Sequence, residues 1–227
     1  MNFENAKATV WQQWLERPEK SFTRHLLFQL HLWVGAAASV YILVLSISGS
    51  AIVLRNRLAG NPFVEWLVRL HENLLIGSVG QFINGIGGIC LTVLCLTGAV
   101  IWWPGIKHWR RSLTVEWNAS FARINWDLHS ALGFWCLGFI AIWGVSATYF
   151  VFPQAFNTLL VVDPADRFTD QGFLWLSELH FGRFGSLAEA LWMSLGLVPA
   201  ILAFTGVFIC CRRVIYKKPS NPKSHLN

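Results

Sequence analysis

The stretch HLWVGAAASVYILVLSISGSAIVL, residues 31–54, begins with a histidine and then continues without a charged residue. A membrane-spanning helix needs about 20 consecutive apolar residues, so this stretch is long enough to cross a bilayer. Three further uncharged runs follow it: Leu74–Ile106, Ser130–Val162 and Ala190–Cys211. We therefore predict an all-α membrane protein built as a bundle of four transmembrane helices.

The composition supports this class, because 54% of the residues are hydrophobic and only 13% are charged. The polar connections are short and leave no material for a separate soluble core. We predict a cytoplasmic amphipathic segment over 1–24, a membrane domain over 25–212 and a basic cytoplasmic tail over 213–227. The predicted transmembrane helices cover 26–54, 72–103, 128–152 and 187–211.

The distribution of basic residues predicts the orientation. Of the 18 lysines and arginines, 13 lie in the N-terminal segment, in the loop 107–127 and in the C-terminal stretch that begins at Arg212. Since loops rich in Lys and Arg stay in the cytoplasm, both termini should be cytoplasmic. The net charge of +6 then reflects this topology and an affinity for anionic lipid, and it does not indicate nucleic-acid binding.

Short motifs recur in the same register in the two halves of the chain, which indicates an internal repeat. Both halves would start on the cytoplasmic side, so we expect two parallel helical hairpins related by an axis along the membrane normal. The matched pairs are HLWVG at 31–35 with HSALG at 129–133, GS at 77–78 with GS at 185–186, and TG at 97–98 with TG at 205–206.

Four histidines take matched positions in this repeat. His31 and His129 would lie at the cytoplasmic ends of helices 1 and 3, and His71 and His180 at the outer ends of helices 2 and 4. Each pair could face across the bundle axis and bind a flat ligand from both sides. Two separated imidazole pairs without thiolate suit low-spin haem b, whereas structural zinc needs four ligands close together. We therefore predict two bis-histidine haem b sites; the alternative is that these histidines are interfacial polar residues.

Each of the other polar residues has a structural interpretation, and some also have a functional one. Arg69 and Arg183 lie near the outer histidines, and Arg24 and Arg123 near the inner ones, where they would bind haem propionates or only determine topology. Asn84 should form a hydrogen bond between helices, and Asp127 could cap the start of helix 3. The five cysteines form no CxxC motif and are interpreted as packing residues. We expect His25 and His225 to be solvated, and His108 is a further candidate ligand.

The motifs LHLWVG, LHENLLIGS, WDLHSALGFW and ELHFGRFGS resemble the PepSY-associated transmembrane family, over about residues 22–212. This family includes inner-membrane siderophore reductases and iron-regulated membrane proteins. The resemblance implies a bacterial inner-membrane location, b-type haems, and His31, His71, His129 and His180 as axial ligands. Family members usually have a large periplasmic domain between helices 1 and 2, and here only RNRLAGNPFVEWLVRL connects them.

The sequence thus predicts a di-haem electron carrier that reduces ferric iron or a ferric siderophore in the periplasm, as a membrane ferric-chelate reductase. The donor would be a cytoplasmic flavoprotein or quinol, and the acceptor a ferric chelate or a periplasmic protein. An alternative is a haem-binding or non-catalytic accessory subunit of a larger membrane respiratory or transport complex. A third hypothesis, a small transporter with histidine proton relays, is disfavoured because no acidic residue lies inside a predicted span.

Overall fold

The computed structural model describes residues 21–104, 109–160 and 167–215, and the regular elements in these ranges are helical. Short 3₁₀ helices cover Arg55–Leu58 and Trp109–Leu113. His108, most of the predicted N-terminal segment and most of the tail lie outside the described residues. The α-helices are α1 (Phe22–Ile52), α2 (Pro62–Asn73), α3 (Ser78–Trp102), α4 (Phe121–Trp135), α5 (Leu137–Val151), α6 (Pro153–Leu160), α7 (Arg167–Phe181), α8 (Ser186–Gly196) and α9 (Val198–Ile215).

Three helical segments in the described ranges are long and apolar enough to cross a membrane: α1, α3 and the path Ser186–Ile215 formed by α8 and α9. The pair α4 and α5 is a fourth candidate span, and its two halves meet at a bend of 66°. The helical membrane architecture predicted from the apolar runs is therefore confirmed, with three or four spans.

The two outer histidines do not lie at the ends of spans, contrary to the sequence prediction. His71 belongs to α2, which ends at Asn73 because Leu74 and Leu75 adopt left-handed backbone angles (φ 51° and 63°). Left-handed residues cannot continue a right-handed helix, so the span begins anew at Ser78 rather than at residue 72. His180 likewise belongs to the separate helix α7. Both histidines are thus carried on short helices that fold back against the spans.

A break separates α8 from α9, and a residue of α1 satisfies its backbone groups. Pro199 follows the break and provides no N–H for a helical hydrogen bond. The Ser46 hydroxyl donates to the carbonyl of Gly196 and accepts from the amide of Ala200 at 3.0 Å. Because unpaired backbone groups are costly in an apolar environment, Ser46 fixes the position of the break against α1.

Glycines let α3 and α5 approach closely. A side chain at Gly144 would place its Cβ 3.0 Å from the Thr92 amide nitrogen and 3.2 Å from the Gly88 carbonyl oxygen. A Cβ at Gly88 would lie 2.8 Å from the Gly144 carbonyl oxygen. Small residues at such crossings are the usual means of close packing between membrane helices.

Gly144→Ala should therefore destabilise the protein, by about 1–3 kcal/mol, because the backbone of α3 must move to admit the methyl group. Gly138→Ala is the matched control on α5, since nothing lies within 4 Å of its Cβ position. Thermal unfolding in detergent should give a lower midpoint for Gly144→Ala and an unchanged or higher one for Gly138→Ala. Equal midpoints for the two variants would show that the crossing does not depend on close approach.

The cysteines are all free, and two of them belong to the buried core. Cys95 and Cys136 pack with Ile140 and Val198 between α3, α5 and α9. Cys210 is also buried, whereas Cys211 is exposed. The positions of Cys95 and Cys136 agree with the packing role predicted from the sequence.

Candidate functional site

His31 and His129 face each other across the bundle. Their ring centroids are 6.3 Å apart and their ring planes are perpendicular, at 88°. Both rings line a cavity of about 530 Å³, named here the His31/His129 cavity, whose walls come from α1, α3, α4, α5 and α9. Two histidines that are far apart in sequence and on different helices thus share one chamber.

Hydroxyl groups orient both rings of this pair. Thr97 donates its only hydroxyl hydrogen to the carbonyl of Val93 (2.7 Å), so it can only accept from His31. Nδ1 of His31 therefore donates to Thr97 Oγ1, at 2.9 Å. A neutral imidazole protonated at Nδ1 keeps its lone pair on Nε2, which is then available to a metal.

The same arrangement holds His129. Thr205 donates its hydroxyl hydrogen to the carbonyl of Ile201 at 2.8 Å, and Nδ1 of His129 donates to Thr205 Oγ1 at 2.8 Å. The two threonines belong to the matched TG motifs. Their glycines also touch the rings: a Cβ at Gly98 would lie 3.2 Å from Cε1 of His31, and a Cβ at Gly206 would lie 3.2 Å from Cε1 of His129. The motif therefore supplies a hydrogen-bond acceptor and space for the ring.

His71 and His180 line a second cavity, of about 190 Å³, named here the His71/His180 cavity. Nδ1 of His71 lies 3.1 Å from Ser48 Oγ, and Nδ1 of His180 lies 2.5 Å from Ser146 Oγ. Both serines donate their own hydrogen to a helical carbonyl four residues earlier, at 2.7 and 2.6 Å. All four histidines thus donate from Nδ1 to a hydroxyl oxygen.

Burial keeps the second pair uncharged. Loss of hydration lowers the pKa of His71 to about 4. Burial, and then the proximity of His71, lower the pKa of His180 to about 3. Both imidazoles are therefore neutral at neutral pH, which is the form that binds metals.

Side chains from the spans hold the short helices that carry this pair. Asn84 of α3 donates to the carbonyls of His71 (2.7 Å) and Glu72 (2.9 Å), at the end of α2. The prediction that Asn84 forms a hydrogen bond between helices is confirmed. On the other side, Trp192 donates to the carbonyl of Leu179 (2.8 Å) and Trp143 to that of His180 (3.1 Å). These bonds satisfy carbonyls that the helix ends leave without partners.

The comparisons with known proteins agree with the motif resemblance. Residues 54–163 match the model of the PepSY-associated TM region. This segment is a PepSY-associated TM region. An uncharacterised protein of Pseudomonas aeruginosa is 28% identical to the chain over 86 residues, which make up 37% of this chain and 20% of that protein. The chain thus spans only about a fifth of the length of this curated relative, and no solved structure matches it.

The PepSY-associated TM match contains one histidine of each pair, His71 and His129. Their partners, His31 and His180, lie outside the matched residues. No group of three or more His, Cys, Asp or Glu side chains suited to a metal occurs among the described residues.

The two arginines predicted near the outer pair have different positions in the structure. Arg69 is exposed and does not line either cavity. Arg183 lines the His71/His180 cavity, 3.8 Å from a carboxylate oxygen of Glu178 and above the Phe181 ring at 4.5 Å. Arg55 also lines this cavity, and only its place in a basic loop could have indicated it from the sequence.

Asp127 does not cap a helix, so that prediction was wrong. Helix α4 begins at Phe121, which places Asp127 in its second turn, where it is buried. Its carboxylate pairs with Arg123, with Nε and Oδ1 2.8 Å apart. This pairing neutralises the Asp127 charge and occupies the guanidinium of Arg123. His25 is exposed, as the sequence predicted, and its side chain also lines the His31/His129 cavity.

Proposed function

We propose that this protein is a di-haem b electron carrier of the bacterial inner membrane. It would deliver electrons to ferric iron or a ferric siderophore in the periplasm. The observation that supports this most directly is the arrangement of four imidazoles as two pairs, each ring donating from Nδ1 to a hydroxyl oxygen. The match to the PepSY-associated TM region supports a membrane protein of that family.

The residues present fit a haem at the His31/His129 cavity. The ring centroids of His31 and His129 are 6.3 Å apart, so the two imidazoles would hold a haem iron between them. The cavity volume of about 530 Å³ lies within the ordinary range for ligand pockets. At about 190 Å³ the His71/His180 cavity is smaller than this range, so the residues fit a haem better at the His31/His129 cavity.

The protein's own residues would bind the haem, orient its histidine ligands and surround it. The four histidines would be the axial ligands, and Thr97, Thr205, Ser48 and Ser146 hold their rings in one tautomer. Haem b, when bound, supplies reversible one-electron transfer. Gly98 and Gly206 leave room beside the rings. No acid–base or nucleophilic residue is required for this chemistry.

The two cavities are close enough together to form one conduction path. Ser48, which contacts His71, is 17 residues after His31 in the same helix, a rise of about 25 Å. Three side chains, Ile42, Leu91 and Pro199, line both cavities. A single layer of side chains therefore separates the chambers. This arrangement supports transfer between the two faces and the two-repeat architecture.

A visible spectrum tests the proposal. Detergent-purified protein made with ample haem supply should show low-spin b-type bands, with about two haems per chain. Vesicles that contain the protein and an enclosed reductant should then reduce an external ferric chelate, while vesicles without the protein should not. Protein that binds no haem under these conditions would refute the proposal.

A second candidate is a haem-binding accessory subunit of a larger membrane complex. It is favoured by the short connection between α1 and α2, where only the 3₁₀ helix Arg55–Leu58 intervenes and little surface is available to capture a bulky chelate. Purification from the native membrane in mild detergent discriminates the two. A subunit should copurify in fixed ratio with other membrane proteins and fail to reduce ferric chelates alone.

Thr97→Val should weaken haem binding at the His31/His129 cavity by about 10–100-fold, because it removes the acceptor that fixes the His31 ring. The side chain keeps its shape, so packing is conserved. Thr92→Val is the matched control on the same helix, since Thr92 also bonds to a carbonyl four residues earlier but touches no histidine. Haem titration of the two variants measures the difference. Equal affinities would show that the hydroxyl does not orient the ring.

A further inference from the structure

We propose that Ile42, Leu91 and Pro199 form an apolar barrier that keeps water and ions from passing between the two cavities. These three are the described residues that line both cavities. The inference goes beyond the proposed function, because it concerns the permeability of the protein and does not require a bound haem.

The two cavities reach opposite ends of the same membrane-spanning helix. His25, which is exposed near the start of α1, lines the His31/His129 cavity, and Arg55, which follows the end of α1, lines the His71/His180 cavity. Arg213, in the last turn of α9, also lines the first of these cavities. Because α1 is long and apolar enough to cross a bilayer, the two polar ends belong to opposite surfaces of the membrane.

Each cavity has room for water. The volumes of about 530 Å³ and about 190 Å³ are several times that of a water molecule, and imidazole and hydroxyl groups in both walls provide hydrogen-bond partners. If the side chains between the cavities were removed, the two would join into one path across the membrane. The permeability of the protein therefore depends on the layer that separates them.

The separating layer contains no polar side-chain atom. Ile42 and Pro199 are buried, and Leu91 is half-buried against the core that includes Cys95 and Ile140. An ion that passes such a layer must lose its hydration without gaining a partner in the protein, which is energetically costly. Apolar constrictions in channels exclude water and ions in this way. A single apolar layer is therefore sufficient to separate two water-accessible cavities.

Hydrogen bonds hold one member of this layer in place. Ser46 lies one turn after Ile42 on α1, and its hydroxyl bonds to the Gly196 carbonyl and to the Ala200 amide, which flank Pro199. These two bonds fix Pro199 against α1. The break between α8 and α9 thus contributes one residue of the barrier at a defined position.

Proton entry into sealed vesicles tests the barrier. The full chain is reconstituted into vesicles that enclose a pH-sensitive dye, and a proton gradient is imposed. Ile42→Ser/Leu91→Ser places hydroxyl groups in the layer, so protons should enter about tenfold faster or more than with the wild-type protein. Leu43→Ser/Ile89→Ser is the matched control, because these exposed residues belong to the same helices and line neither cavity.

The control variant should admit protons no faster than the wild type. Equal rates for the two double variants would overturn the barrier, and so would a wild-type rate as fast as that of Ile42→Ser/Leu91→Ser.

A second measurement leaves the layer intact and does not depend on how its variants fold. Ala36 lines only the His31/His129 cavity, and Ile52 lines only the His71/His180 cavity. In vesicles of uniform orientation, a membrane-impermeant thiol reagent should modify Ala36→Cys from one side of the membrane and Ile52→Cys from the other, as identified by the mass of the labelled peptide.

Modification of either cysteine variant from both sides, or of neither from any side, would refute a barrier between two water-accessible cavities. Neither measurement uses haem, so a protein that fails to bind haem can still pass both, and failure of the barrier is distinguished from failure of the proposed function.

Discussion

The His129→Ala protein is expected to hold about one haem per chain instead of two, because the remaining His31 cannot supply both axial ligands. The ring of His129 lies 6.3 Å from that of His31, and no other histidine is paired with it in this way in the described ranges. Reduced-minus-oxidised spectra with haem quantified per chain measure the loss. His31→Ala should give the same spectrum, and His71→Ala should retain the opposite haem.

His25→Ala is the matched control for this prediction. His25 lines the same cavity, yet it belongs to no imidazole pair. The variant should keep the wild-type haem content and band positions. An unaltered spectrum for His129→Ala, or an equal loss for His25→Ala, would contradict the assignment of the ligands.

Asn84→Ala and Asn125→Ala should affect opposite sites. Asn84 donates to the carbonyls of His71 and Glu72, so its loss leaves two helix-end carbonyls unpaired, at about 1–3 kcal/mol each, and releases α2. Asn125 is buried and donates to the carbonyl of Thr205 at 3.1 Å, which holds α4 against α9 beside His129. Asn84→Ala should weaken haem binding at His71/His180 about tenfold or more, and Asn125→Ala should do so at His31/His129.

Each variant serves as the control for the other, because both remove a buried amide from a helix. Haem titrations in the His71→Ala and His129→Ala backgrounds report the sites one at a time. Equal weakening of both sites by either variant would indicate general destabilisation and not local positioning. The bond from Asn84 was expected from the sequence, whereas that from Asn125 was not, because Asn125 precedes the apolar run and resembles a loop residue.

The histidine pairs could be proposed from the sequence because the predicted repeat assigns them to matched positions, and residues at matched positions of membrane helices are expected at the same depth. The hydroxyl partners could not be assigned in this way. Thr97 and Thr205 belong to the TG motif, and Ser48 and Ser146 also occupy matched positions, but a Ser or Thr in an apolar helix ordinarily bonds to its own backbone. Only the placement of an imidazole against each hydroxyl reveals the second contact.

The errors in the sequence predictions share a cause. Hydropathy does not distinguish a long span from a span preceded by a short helix that folds back, so His71 and His180 were placed at span ends. Leu74 and Leu75 end α2 because they adopt left-handed backbone angles, and a leucine in the sequence does not predict that conformation. Arg69 was grouped with His71 by proximity along the chain, yet it is exposed and away from the cavity.

The sequence by itself determined the helical membrane class, the resemblance to the PepSY-associated TM region and the four matched histidines. The length of an apolar run and the register of a motif are properties of single segments, so they do not depend on what those segments pack against. Tertiary structure alone decided that His31 faces His129, that four hydroxyls orient the rings, and that Arg24 and Arg213 converge on one cavity. Those contacts depend on how the helices rotate and tilt against one another. The close packing at Gly88 and Gly144 and the hydrogen bonds of Ser46 determine this rotation and tilt, and the spacing of these residues along the sequence does not predict their contacts.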